Sequence, residues 1–369
     1  MKELKEAIKR AEFNLTEPEV LVRLINSAKR EGEKIQKEFK RMNSLVGKLN
    51  EEISKKMQFF FTEPEIESEE IRLALGVDGS NQIIRGIGSK WYVFLSVAGV
   101  IFVSGRDSPP KVDIFWADIE EFDESKNPFI KRSAEIKMLS IESKAILEYG
   151  TKNSNSVIFI DGPIVDPPFK YENHDAYVEF RCNAIKKCIE SNSILIGCVK
   201  RVRDKFFINY LLQNNIKDVR EFPTDQHLML MLFTRFRSQE KVLGPLYTKW
   251  IDVTNLCKEY TLPYDDYEKN GIFVISFFYE RDIKSKILRI DVPLNFSPLE
   301  NPVKVENIVS KVVKTLNYWT YPSQDPLPVL LAHEKCNIRK GAAEVLYEEI
   351  ITRSMSLEPS DQIIAAKMR

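Results

Sequence analysis

Apolar side chains between residues 21 and 53 recur in alternating steps of four and three, at Leu21, Ile25, Ala28, Gly32, Ile35, Phe39, Met42, Val46, Leu49 and Ile53. That spacing is a heptad seam, weakened at Gly32, and it predicts one long helix whose stripe calls for a partner helix. The partner is either a second subunit or a segment folded back from elsewhere in the chain. Thr16-Glu17-Pro18-Glu19 has the form of a capping box with proline in the first turn, which places the helix start. A second such stretch, Thr62-Glu63-Pro64-Glu65, follows Phe59-Phe60-Phe61 and marks the exit. A boundary near residue 70 therefore divides a helical, coiled-coil-like extension over residues 1–70 from a larger domain over 71–369.

Beyond that boundary the period changes. LALGVDGS at 73–80 and WYVFLSVAGVIFVSG at 91–105 are rich in β-branched and aromatic residues and bounded by Gly and Ser, as strands are. Their unbroken apolar runs belong to strands covered on both faces. Residues 129–149 turn helical, with Ile136, Leu139, Ala145 and Ile146 at helix-like spacing, and SVIFIDGP at 156–163 returns to strand. A helix over 173–191 leads to the strand SILIGCVK at 193–200. GIFVISFFYE and KILRIDVP read as a hairpin, and 303–317 and 339–355 as helices. This order is that of a mixed α/β domain.

Composition narrows the class. Lys+Arg and Asp+Glu number 54 each, so any affinity for nucleic acid must come from local patches. The start, MKELKEAIKR, lacks the apolar core of a signal peptide, and no apolar run approaches the roughly 18 residues of a membrane span. The cysteines Cys182, Cys188, Cys198, Cys257 and Cys336 include no C-x-x-C pair, which fits reduced thiols in a cytoplasmic protein. Arg85-Gly86-Ile87-Gly88 is a lone G-x-G, and no P-loop, G-x-S-x-G or H-E-x-x-H motif occurs. Those absences argue against a nucleotide-binding loop, an ATPase, an α/β-hydrolase or a zincin.

Two aspartates follow buried apolar strands in the same manner, in Leu75-Gly76-Val77-Asp78-Gly79-Ser80 and Ile158-Phe159-Ile160-Asp161-Gly162-Pro163. A single Asp-Gly after a strand is ordinarily a turn. Two of them, on neighbouring strands of a mostly parallel sheet, would aim both carboxylates into one cleft. Facing carboxylates repel, so the pair predicts either a raised pKa or a bound divalent cation. Oxygen ligation with open positions suits Mn²⁺ or Mg²⁺, and such ions activate water for phosphodiester cleavage. A third acid is expected from the intervening helix, Glu142 first and Glu135 next, with Glu148 at its end; a solvated helix face is the bland alternative.

Of the three histidines, His333 stands out because it closes the run Pro326 to Ala332 at what reads as the opening of a helix. An imidazole there could hold the attacking water, protonate the leaving group or brace the phosphate, although lone histidines are most often structural. Lys200 ends a strand beside the acidic site, where it can grip a phosphate, and Arg201, Arg203 and Lys205 can track a nucleic-acid backbone. Arg235 and Arg237 form a smaller patch.

These motifs in this order, LGVDGS, VIFIDGP, GCVKRVRD, RIDVP and YPSQDPLPVLLAHEKC, resemble the NurA nuclease family over residues 70–345. The resemblance implies a ribonuclease-H-like mixed sheet flanked by helices and Mn²⁺-dependent cleavage of single-stranded DNA. It also implies 5′-to-3′ trimming of duplex ends. It further implies a homodimer docked on a HerA-type hexameric ATPase during end resection for recombinational repair. By the same resemblance Asp78 and Asp161 are the metal-binding aspartates, the helix acid falls on Glu142 or Glu135, and His333 is the late catalytic histidine. Tyr321 is the nearest candidate for the tyrosine that accompanies it, with Tyr318 the alternative, because Ser323-Gln324-Asp325 lengthens this stretch. The competing reading from another class is a catalytically inactive adaptor that docks the same fold on a ring ATPase or on DNA.

Overall fold

Val157–Ile160 carries four consecutive apolar side chains, all buried, which only a central strand covered on both faces can accommodate. The computed structural model describes residues 17–62, 72–86, 89–126, 129–165, 174–256 and 263–354, together with 360 and 363. It divides after Met57 into two compact units. In the first, the heptad pattern forms a single helix, α1 (Pro18–Lys56), with proline in its first turn and Glu17 as its cap residue. The helix start expected at Thr16 and the exit expected at Glu63–Glu65 lie outside the described residues. Seam positions Ile35 and Phe39 are 53% and 55% exposed.

The second unit is built on a ten-stranded sheet. Its strands are β1 (Phe60–Thr62), β2 (Ala74–Arg85), β3 (Lys90–Phe102), β4 (Lys111–Asp123), β5 (Val157–Ile160), β6 (Ile194–Val199), β7 (Leu246–Thr248), β8 (Ile251–Asp252), β9 (Phe273–Glu280) and β10 (Leu288–Leu294). They run in the order β1-β7-β9-β10-β6-β5-β2-β3-β4, with β8 on β9. Strand β5 lies parallel to both β2 and β6, while β2, β3 and β4 form an antiparallel meander. The segment β4-β3-β2-β5-β6 is the ribonuclease-H arrangement, an antiparallel three-stranded meander extended by two parallel strands. A helix makes each crossover, as parallel pairing demands. These are α2 (Ile130–Lys152) between β4 and β5, and α3 (His174–Glu190) between β5 and β6.

Further along come α4 (Phe206–Gln213), a 3₁₀ turn at Lys217–Glu221, α5 (Asp225–Glu240), α6 (Val253–Leu256) and α7 (Tyr264–Lys269). The chain then forms α8 (Pro302–Trp319), α9 (Leu327–Cys336) and α10 (Lys340–Ser354). The main core lies between one sheet face and α8 with α9, where Phe102, Phe159, Phe277, Leu316, Trp319 and Val329 are buried together. Arg289 of β10 is buried in the sheet, paired with Asp291 and Asp204 and stacked over Phe206, so that its charge is compensated on every side. Among the described residues no helix is long and apolar enough to cross a membrane.

Candidate active site

Strand β2 does not stop at Asp78. It continues on the β3 ladder through Gly79↔Val97 to Arg85↔Trp91, so the expected turn at Asp78-Gly79 is replaced by continuous strand. Asp78 instead sits one residue past the level where the parallel partner β5 ends, since the last β2–β5 pair is Val77↔Ile160. Asp161 follows that end directly, and there the chain does turn, with Gly162 at φ 146°, a conformation that favours glycine. Ile160 also pairs with Gly197 of β6, and Lys200 leaves β6 three residues on. Parallel register therefore brings Asp78, Asp161 and Lys200 to one edge of the sheet, as the common edge of parallel strands provides.

Helix α9 closes this edge from one side. Gly76 of β2 makes that possible, because a side chain there would collide with the Pro328 carbonyl. His333 lies in the last turn of α9, not at its opening, since the helix begins at Leu327. Its Nδ1 is 2.8 Å from Asp78 Oδ2 and 3.5 Å from Asp161 Oδ2. The Cys336 thiol, one turn on, donates to the same Asp78 oxygen at 3.4 Å, while the Gly79 amide donates to Asp78 Oδ1 at 2.9 Å. Asp78, Asp161 and His333 each offer a ligand atom, and the three atoms lie within 4.8 Å of one another. These three residues are the described set able to hold a metal ion.

Burial and the nearby Asp161 charge push the Asp78 pKa up to about 6, against the hydrogen bonds from His333 and Cys336 that favour its ionised form. Lys200 donates to Asp161 Oδ2 at 2.7 Å and lies 3.5 Å from Asp325 Oδ2. Burial works against its charge, but the bond to Asp161 and the fields of Asp161, Asp325 and Asp78 outweigh it and hold the lysine pKa up. Cys336 is pushed the same way, upward, by burial first and then by Asp78.

Glu142 packs on β2 at Gly79 and is not one of the three residues whose ligand atoms converge. Gly79 points its missing side chain toward α2, where a Cβ would fall 2.5 Å from Glu142 Oε1. The carboxylate, on a residue only 5% exposed, thus rests against the backbone beside Asp78. Glu135 lies two turns earlier, partly buried, and burial raises its pKa. Arg201 and Arg203 are exposed on either side of buried Val202, whose amide is held by Gln226 of α5.

Other expected groups are placed elsewhere. The Tyr321 hydroxyl donates to Asp107 at 2.9 Å, and the Arg106 guanidinium lies over the rings of both Tyr321 and Tyr318. Among the described residues neither tyrosine bonds His333 or the site aspartates. Arg237 is not part of a basic patch either; it is buried and paired with Glu280. His174 is buried, and His227 is exposed with Nδ1 on Thr224. Cys182, Cys188, Cys198 and Cys336 are free thiols, while Cys257 lies outside the described residues. Sequence reasoning passed over two site residues. Asp325 was visible only as part of an insertion, and Cys336 only by its helical spacing of three from His333.

A ribonuclease-H-type sheet with carboxylates converging at its strand ends is the framework of a class of nucleases. Within that class, the model of the NurA domain matches residues 72–338, and the chain belongs to the NurA family. The fold is similar to that of the NurA nuclease from Sulfolobus solfataricus, at TM-score 0.55 and 14% identity over 89% of this chain and 99% of that one. A second NurA structure matches at TM-score 0.54 and 10% identity, over 92% of this chain and 98% of the other. Comparison with curated protein sequences returned no match.

Proposed function

We propose that the protein is a metal-dependent deoxyribonuclease that hydrolyses phosphodiesters at DNA ends. The observation that carries this is the convergence of Asp78, Asp161 and His333 donor atoms within 4.8 Å. The donor set fits a hard divalent cation. Two carboxylates, one of them with its pKa raised to about 6, lie beside an imidazole, and a cation between them relieves their repulsion. Asp78 and Asp161 would hold the ion, with Glu142, or Glu135 as the alternative, as the acid behind them. Carboxylate oxygens suit Mn²⁺ and Mg²⁺ alike, and the family resemblance puts Mn²⁺ first. When bound, such an ion supplies an activated water and charge stabilisation at the leaving oxygen.

The chain's own groups do the rest. His333, with 54% of its side chain exposed, faces arriving substrate and can take or give a proton at the reacting oxygen. Lys200 offers an ammonium to the scissile phosphate, and exposed Arg201 and Arg203 extend that positive edge along the backbone. Tyr321, set against Asp107, has no part in proton transfer in this scheme.

The family resemblance extends the proposal to single-strand endonuclease and 5′-to-3′ exonuclease activities, recombinational repair in the cytoplasm and a HerA-type hexameric partner. The exposed seam residues Ile35 and Phe39 support a homodimer. Incubation of linear DNA with Mn²⁺ tests the core claim. Wild type should degrade it and Asp78→Ala should not, whereas equal rates would favour the inactive adaptor.

A further inference from the structure

We propose that Asp325 is a positioning residue that receives Lys200 when a divalent cation takes Asp161. This rests on the metal reading of the site given above. Asp161 Oδ2 is the oxygen that faces His333 at 3.5 Å, and it is also the oxygen to which Lys200 donates at 2.7 Å. The lysine ammonium therefore caps the Asp161 oxygen that faces the His333–Asp78 pair. An ammonium and a divalent ion on one carboxylate oxygen repel strongly at this range. Entry of the ion thus requires the lysine to leave, and a largely buried ammonium cannot leave without a new partner.

Asp325 is that partner. Its Oδ2 is already 3.5 Å from the Lys200 nitrogen, and its side chain is 10% exposed, against 21% for the lysine. Among the described residues the other cation on Asp325 is Lys286, at 3.7 Å, and its 72% exposed side chain is free to return to solvent, so it does not bar the exchange. The bridge between Thr320 and Pro326 fixes the chain on either side of Asp325. Pro326 also caps α9, so the element that sets Asp325 is the one that sets His333. Lysine's flexible stem allows the short swing. It ends with the ammonium paired, beside the site, where the charge of a phosphate arrives.

The test is a thermodynamic cycle read by Mn²⁺ binding rather than by cleavage. Metal-free full-length wild type, Asp325→Asn, Lys200→Met and the double variant are titrated with Mn²⁺, and free ion is followed by electron paramagnetic resonance. Asp325→Asn should weaken Mn²⁺ roughly tenfold, within the range seen for partners that act through a metal's ligands. Lys200→Met should tighten it, and Asp325→Asn should then add less than about twofold in the Lys200→Met background. Asp325→Glu should restore the wild-type affinity. Should Asp325→Asn not fold, Asp325→Ser takes its place in the cycle. Unchanged affinity in the single variant, or an equal loss with and without Lys200, overturns the inference; the latter would make Asp325 a ligand in its own right. Absence of Mn²⁺ binding by wild type would remove the metal reading and this inference together.

Discussion

The Nδ1 atom of His333 lies 2.8 Å from Oδ2 of Asp78, so the imidazole is oriented by a carboxylate that is itself a candidate metal ligand. That pairing fixes the ring while leaving more than half of the side chain open to solvent. A histidine held this way serves proton transfer better than it serves packing. His333→Ala should lower single-turnover cleavage by about 10²- to 10⁴-fold, the usual worth of a positioned acid–base group. Mn²⁺ affinity should fall by much less than in Asp78→Ala. Parallel losses of cleavage and affinity would make His333 a metal ligand instead.

Asp78 makes the metal-free protein sensitive to pH. Its pKa stands at about 6 in the folded chain against an ordinary 3.8, chiefly through burial, so the folded state keeps a proton that the unfolded chain has released. Stability should accordingly be greatest below about pH 4 with respect to this group, and it should fall as pH rises through 6. The difference is roughly 2–3 kcal/mol, judged from the size of the shift. Urea denaturation in chelator at pH 4.5 and 7.5 measures it. Asp78→Asn should remove most of the dependence, and an undiminished slope in that variant would assign it to other groups.

The convergence of Asp78 and Asp161 at one sheet edge was legible in the sequence because it follows from period. Four apolar residues before Asp161 demand a buried strand, and a buried strand delivers its next residue to the sheet edge. The pattern ends the first strand at Asp78, whereas β2 runs on to Arg85 under the β3 ladder, which nothing local announces. Strand β4 was missed for a similar reason. Asp113, Asp118, Glu120 and Glu121 and a bulge opposite Val97/Ala98 break its alternation, and Ile114 and Trp116 are exposed. Arg237 looked like surface charge and is buried against Glu280, a pairing between elements that spacing along the chain does not encode. The same limit hid Asp325, whose partner Lys200 comes from a distant strand end.

Glu142 and Glu135 share a helix, and geometry separates them. Glu142 is the one whose carboxylate rests on Gly79, next to Asp78, and Gly79 is the small residue that lets it approach. Glu142→Gln should weaken Mn²⁺ and cut cleavage by roughly 10- to 100-fold, as expected for a group at or just behind the ligand shell. Glu135→Gln should stay near wild type. Calorimetric titration of both variants decides between them, and the reverse order would transfer the role to Glu135. Gly79→Ala offers an independent check, because its added methyl must displace Glu142 or Met138 and should reproduce part of the Glu142→Gln defect.

The helix α1 supplies the last test. Ile35 and Phe39 lie on its heptad stripe and are more than half exposed, a costly placement for large apolar groups unless a second surface covers them. Substituting both with Glu changes side chains that face solvent in the isolated chain, so folding stability should move by no more than about 0.5 kcal/mol per site. Two such stripes brought together would instead bury four carboxylates, which association cannot tolerate. Sedimentation equilibrium should therefore show wild type as a dimer and Ile35→Glu/Phe39→Glu as a monomer with an unchanged Tm at low concentration. A dimer that survives both charges would mean that the stripe is not the contact, and the search would move to the exposed apolar positions Ile114 and Trp116 of β4. Substitution is preferable to deletion here, because Phe60–Thr62, directly after the helix, pairs with β7 and belongs to the sheet.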